Sequence, residues 1–176
     1  MTRPLGIRLG LWLALAALAL ALPAASAEAP AAGGNRGAET GLALPRFASL
    51  ASDRVNVRAG PSQRHPVSWQ YQRRGLPVEV LGEYELWRKI RDRDGAEGWV
   101  HRSMLSGRRT ALIQGGVAEV LSQPRLTASV RVRAEAGVQV RVLACDEAWC
   151  RIELAGNRGF VPRAQLWGVY PNETVE

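Results

Sequence analysis

Beyond residue 50 the apolar positions fall into short runs of period two. Val55 and Val57 alternate with Arg54, Asn56 and Arg58, Val78 and Val80 with Pro77 and Glu79, and Val138, Val140 and Val142 with Gln139 and Arg141. Such alternation describes strands with one buried and one wet face. Asp94-Gly95, between Ile90 and Trp99, and Gly156-Asn157, between Ile152 and Phe160, supply the turn chemistry that joins such strands. No stretch after residue 27 carries a long helical period. The expected class is all-β, built as small barrels that hide their own edges.

The pattern is also written twice. Gly75 to Ile90 aligns without gaps on Gly137 to Ile152, with seven identities in 16 positions: Gly75/Gly137, Val78/Val140, Val80/Val142, Leu81/Leu143, Glu85/Glu147, Trp87/Trp149 and Ile90/Ile152. With slips of one residue the match continues through Val57/Val120 and Pro61/Pro124 on one side and Gly98/Gly159, Val100/Val161 and Leu105/Leu166 on the other. A period near 62 residues predicts two similar domains in tandem.

The first residues follow another rule. Arg3 and Arg8 precede an apolar run from Leu9 to Leu22, followed by Pro23 and Ala25-Ser26-Ala27. A basic start, a short hydrophobic stretch and a small-residue cleavage site make a secretory signal peptide. The 14-residue run is shorter than the roughly 20 residues a membrane-spanning helix needs. Residues 28–47, rich in Ala, Gly and polar side chains, read as a flexible linker. The expected layout is a signal peptide over 1–27, the linker over 28–47, barrels over 48–110 and 111–171, and a tail over 172–176.

Export gives the two cysteines a meaning. In an oxidising compartment Cys145 and Cys150, which bracket a four-residue turn, are expected to pair as a structural disulfide. A redox or metal site is the alternative, weakened by the lack of a Cys-x-x-Cys spacing and of a nearby histidine.

Charge adds less. The chain holds 22 arginines and one lysine, Lys89, for a formal net charge of +7, which becomes +5 on the 149 residues left after cleavage at Ala27. Arginines crowd the first unit's hairpins, but acids alternate with them, so the stretch reads as a solvated face with a binding patch as the alternative. As a patch in an exported protein, it suits acidic peptides, anionic lipids or an acidic protein better than nucleic acid. His65 and His101 lack zinc-like partners, and Asp92-Arg93-Asp94-Gly95 with Glu97 lacks the spacing of a calcium loop. No nucleophile-base pattern or phosphate loop appears, so no cofactor, metal or catalysis is expected.

Val55-Asn56-Val57-Arg58-Ala59-Gly60-Pro61-Ser62, then Gly75, Val78 and Val80, then Trp87-Arg88-Lys89-Ile90, then Gly98-Trp99-Val100 and Leu105, resembles the bacterial Src-homology-3 (SH3) domain from end to end. The second unit is a poorer match, keeping Trp149, Ile152 and Gly159-Phe160-Val161-Pro162. The resemblance implies five-stranded barrels that bind peptides, proteins or the peptide part of the cell wall, with catalysis confined to separate domains in larger relatives. Two barrels and a linker would occupy the mature length, which leaves no room for such a domain.

Strand parity sends Ile90 and Ile152 into the barrels and Trp87 and Trp149 outward, where the resemblance places a ligand-contacting tryptophan. His101 and Met104, and Pro162 and Gln165 in the second unit, correspond to a proline and a tyrosine of the proline-peptide groove, so that groove is incomplete. The candidate ligand-binding residues are Trp87, Trp99, Arg88, His101, Met104, Trp149 and Phe160. The expected function is a non-enzymatic periplasmic or secreted module that recognises peptidoglycan stem peptides or a protein segment at the envelope. A structural scaffold or interaction subunit of an envelope complex is the alternative.

Overall fold

The computed structural model describes residues 35–175. The expected signal peptide, and the linker up to residue 34, lie outside the described residues. The chain forms β1 (Asn35–Arg36), β2 (Ala43–Leu44), β3 (Arg46–Leu50), β4 (Val55–Arg58), β5 (Val67–Tyr71), β6 (Pro77–Tyr84), β7 (Trp87–Arg91), β8 (Glu97–His101), a 3-10 turn (Arg102–Met104) and β9 (Leu105–Ser106). It repeats β3 to β9 as β10 (Thr110–Ile113), β11 (Ala118–Leu121), β12 (Val130–Ala134), β13 (Gln139–Cys145), β14 (Trp149–Leu154), β15 (Asn157–Pro162), a second 3-10 turn (Arg163–Gln165) and β16 (Leu166–Trp167). Among the described residues no helix is long and apolar enough to cross a membrane.

Each repeat makes one seven-stranded sheet, ordered β5-β4-β8-β7-β6-β3-β9 and β12-β11-β15-β14-β13-β10-β16. The strand orders are the same, position for position. Seven strands replace the expected five because the first loop of each unit is itself a hairpin, β4–β5 and β11–β12.

The alternating valines account for the cores. Val55, Val57, Val78, Val80, Ile90 and Val100 close around Leu50 in the first unit. Val120, Val140, Val142, Ile152 and Val161 close with both cysteines in the second. Gly98 and Gly159 recur because β8 and β15 pass directly against the preceding hairpin. A Cβ there would lie 2.4 Å from the Val57 side chain in one unit and 2.6 Å from the Leu121 carbonyl oxygen in the other. Cys145 and Cys150 face each other across β13 and β14 and form the disulfide.

Two expected boundaries are corrected. From Asn35 onward the supposed linker is folded: β1 and β2 form a hairpin and β3 is an integral strand of the first sheet. The reason is a buried carboxylate, Glu83, which no periodicity marks. Its oxygens accept from the Glu39 and Thr40 backbone N–H groups at 3.0 and 2.9 Å, from Thr40 Oγ1 at 2.7 Å and from Arg46 Nη2 at 2.9 Å, with Arg88 Nε at 3.4 Å. Gly37 sits so close that any Cβ would meet this carboxylate. At the other end the supposed tail is packed. Glu173 pairs with Arg109, the buried Arg163 donates to the Pro171 and Glu173 carbonyls, and Val175 bridges to Cys145.

The two barrels are fused through polar and aromatic contacts. Ser49 Oγ and Thr110 Oγ1 lie 2.6 Å apart in a buried position, with the Gly75 carbonyl 2.6 Å from Thr110 and the Arg108 carbonyl 2.7 Å from Ser49, so two hydroxyl protons are shared among three short contacts. Tyr170 donates its hydroxyl to Glu79, whose other oxygen holds Arg91. Phe47 stacks against Trp167 and Tyr170 at ring separations of 5.2 and 4.7 Å. Both barrels therefore belong to one compact unit.

Candidate functional site

β4 gives Val55 and Val57 to the core, so Asn56 and Arg58 leave on the opposite face, continued by Arg54 just before the strand. β5 sets Gln70 across from Asn56, the loop between them brings in Gln63, Trp87 opens β7, and His101 and Met104 follow at the end of β8 and in the 3-10 turn. Together they line a cleft of about 380 Å³.

The cleft is largely pre-arranged. Arg58 Nη1 donates to the Gln63 and His65 carbonyls at 3.2 and 2.7 Å, which closes the first loop upon itself. Gln70 donates to Asn56 across the strands at 2.7 Å. The His101 ring meets Trp87 edge-on at 5.6 Å, and its Nδ1 is held by Ser103. Two arginines and no carboxylate line the space. The Arg54 guanidinium makes no ion pair among the described residues, whereas Glu79, Glu83 and Glu97 are each paired elsewhere.

Behind the wall, Glu83 secures the turn that carries Trp87. Burial by itself raises the pKa of this carboxyl, but the hydrogen bonds from Thr40 and Arg46 outweigh it and hold the group at about 2. Glu39 accepts from the Glu85 N–H at 3.3 Å, and Glu85 itself occupies the left-handed region with φ of 50°. Arg88 donates to the Glu85 and Trp87 carbonyls at 2.9 and 2.8 Å, and the Arg102 N–H reaches the Leu86 carbonyl at 2.7 Å. The amino-terminal hairpin thus holds the turn at Glu83–Glu85, and Arg88 and Leu86 in turn tie in Trp87 and the start of the 3-10 turn.

Trp87, His101 and Met104 come together at the cleft, and the other candidates do not. Arg88 is buried and committed to Glu83, away from the lining. Trp99 lies half-buried between its strand neighbours Arg58 and Lys89. Trp149 and Phe160 are half-buried and line neither cleft described for this chain. Parity placed Trp87 on the face opposite Ile90, and it is indeed outside that core cluster. Its expected outward exposure is corrected: only 8% of its surface reaches solvent, with the His101 ring edge-on against it. The lining residues missed in the sequence are Arg54, Asn56, Arg58, Gln63 and Gln70. The alternation around Val55 and Val57 is the signal that finds the first three.

A second cleft, of about 410 Å³, occupies the matching place in the second barrel. Val117, Glu119, Leu121, Leu126 and Arg133 stand where the first cleft has Arg54, Asn56, Arg58, Gln63 and Gln70, each 63 residues earlier. Pro162 and Gln165 stand in for His101 and Met104, 61 residues earlier.

This duplicated architecture has a family. The chain belongs to the bacterial SH3 domain family, whose profile matches twice, over residues 51–107 and 114–168. Such a domain marks a binding module. No curated protein sequence matches the chain. Among solved structures it is similar to NlpC2 from Trichomonas vaginalis, at 15% identity and a TM-score of 0.33, over 70% of this chain and 48% of that one. NlpC1 from the same organism is similar at 17% identity and a TM-score of 0.33, over 74% and 48%. An NlpC/P60 family protein from Bacillus cereus ATCC 10987 follows at 11% identity and a TM-score of 0.32, over 69% and 55%. The chain spans about half the length of these structures.

Proposed function

We propose that this protein is an exported, non-enzymatic binding module of the cell envelope, periplasmic or secreted, whose first-barrel cleft takes a carboxylate-bearing peptide of the peptidoglycan stem type. The observation that carries this reading is the lining itself: Arg54 and Arg58 beside Trp87, with no acid among them. Arginine presents a planar fork of donors to a carboxylate. Arg54 is free to do so, while Arg58 holds the loop and adds positive potential. Trp87 and Met104 supply apolar contact for the peptide's small side chains.

The test is sedimentation of the mature protein with purified cell-wall sacculi. Arg54→Glu suits it better than Trp87→Ala, because Arg54 is exposed whereas Trp87 is packed against His101. Wild type should co-sediment and Arg54→Glu should remain in the supernatant. No co-sedimentation of wild type sinks the cell-wall reading, and equal sedimentation of both removes Arg54 from it.

A further inference from the structure

We propose that the second cleft is a binding site of its own, for an uncharged apolar peptide segment, so that the two barrels take ligands of different chemistry. The argument starts from matched positions. Where the first cleft has Arg54, Arg58 and Gln63, the second has Val117, Leu121 and Leu126, while its volume is nearly the same. Every cationic position of the first cleft has become aliphatic.

One cross-strand pair is present in both. Asn56 opposite Gln70 is a neutral hydrogen bond, and Glu119 opposite Arg133 at the same register is an ion pair of 2.9 Å. The two charges of the second cleft are therefore paired with each other, and a ligand carboxylate would have to displace Glu119 to take Arg133. What is left for an occupant is Leu121 as floor, Pro162 as wall, and the rim residues Val117 and Leu126, which are 59% and 80% exposed. An acidic ligand would compete with Glu119 for Arg133, and a basic ligand would compete with Arg133 for the same carboxylate. An uncharged chain with aliphatic side chains covers Val117 and Leu126 without disturbing the pair. Covering Leu126 alone supports about tenfold tighter binding.

The experiment is chemical-shift mapping on the whole mature protein. The probes are acetyl-Leu-Pro-Leu-amide and acetyl-Glu-Ala-Glu-amide, with a third series in which the protein alone is concentrated. The apolar peptide should shift Val117, Leu121, Leu126 and Gln165 and leave Arg54 and Gln63 in place. Leu126→Asp, a substitution at an exposed rim position, should weaken that binding about tenfold or more. The proposal is overturned by an apolar peptide that shifts neither cleft, or both equally. It is equally overturned if concentrating the protein alone reproduces the shifts, since the occupant is then a second copy. An acidic peptide that leaves the first cleft silent, while the apolar one binds the second, defeats the stem-peptide reading and supports this one.

Discussion

Replacing Glu83 by Gln probes the brace behind the first cleft with little change in shape. The carboxylate receives four hydrogen bonds, two from backbone N–H groups, one from Thr40 Oγ1 and one from Arg46, and faces Arg88 as well. Every one of those groups is a donor, so an amide nitrogen placed on either side confronts at least two of them. Hydrogen bonds to a charged acceptor contribute about 1.5–3 kcal/mol each, and Arg88, nearly buried, loses its counter-charge. A net loss of about 3 kcal/mol is expected, equivalent to a fall in melting temperature of about 6–12 °C for a unit of this size. The carboxyl sits at about 2 in the folded protein, below its ordinary value of 4.5. Its contribution is therefore complete above pH 4.5 and fades as pH falls toward 2. Thermal melts followed by circular dichroism at pH 7 and at pH 2 should show a wide gap between wild type and Glu83→Gln that narrows at the lower pH. Equal melting temperatures at pH 7, or a gap indifferent to pH, would refute the account of the brace.

Other predictions concern the frame. Gly159→Ala drives a Cβ to 2.6 Å from the Leu121 carbonyl oxygen and should cost about 1–3 kcal/mol in denaturant unfolding. Thr110→Val removes the hydroxyl that lies against both Ser49 Oγ and the Gly75 carbonyl, so it should cost about 2 kcal/mol. Because that hydroxyl belongs to both barrels, calorimetry should show one cooperative transition moved to lower temperature, and two separated transitions would contradict the fusion. Reduction of Cys145–Cys150 opens a short ring and should cost about 2 kcal/mol, measured by unfolding with and without reductant.

Much of the frame is legible in the sequence because it rests on local rules. Period-two valines give the strands, the repeated Gly98 and Gly159 mark where strands cross closely, and the cysteines sit opposite each other across one hairpin. What is not legible depends on partners far apart in sequence. Glu83 turns a Gly-rich, linker-like stretch into a folded hairpin through contacts with residues more than 35 positions away. Glu173 and Val175 tie down the carboxyl end in the same non-local way. The site is half legible for a related reason. Parity puts Trp87 on the correct face but says nothing of His101 lying across it, and Arg88 looks like a surface cation until Glu83 is seen to bury it. The difference between the two clefts emerges only when the first-loop hairpins are superposed position by position.

The most direct test of the central claim is a titration of the labelled mature protein with a soluble peptidoglycan stem peptide, read at the Trp87 indole and at the Arg54, Gln63 and His101 amides. Saturable shifts at these groups, lost in Arg54→Glu and absent from Val117 and Leu126, are the predicted result. Shifts confined to the second cleft, or none at all, would contradict the claim that the first cleft is the carboxylate-reading site.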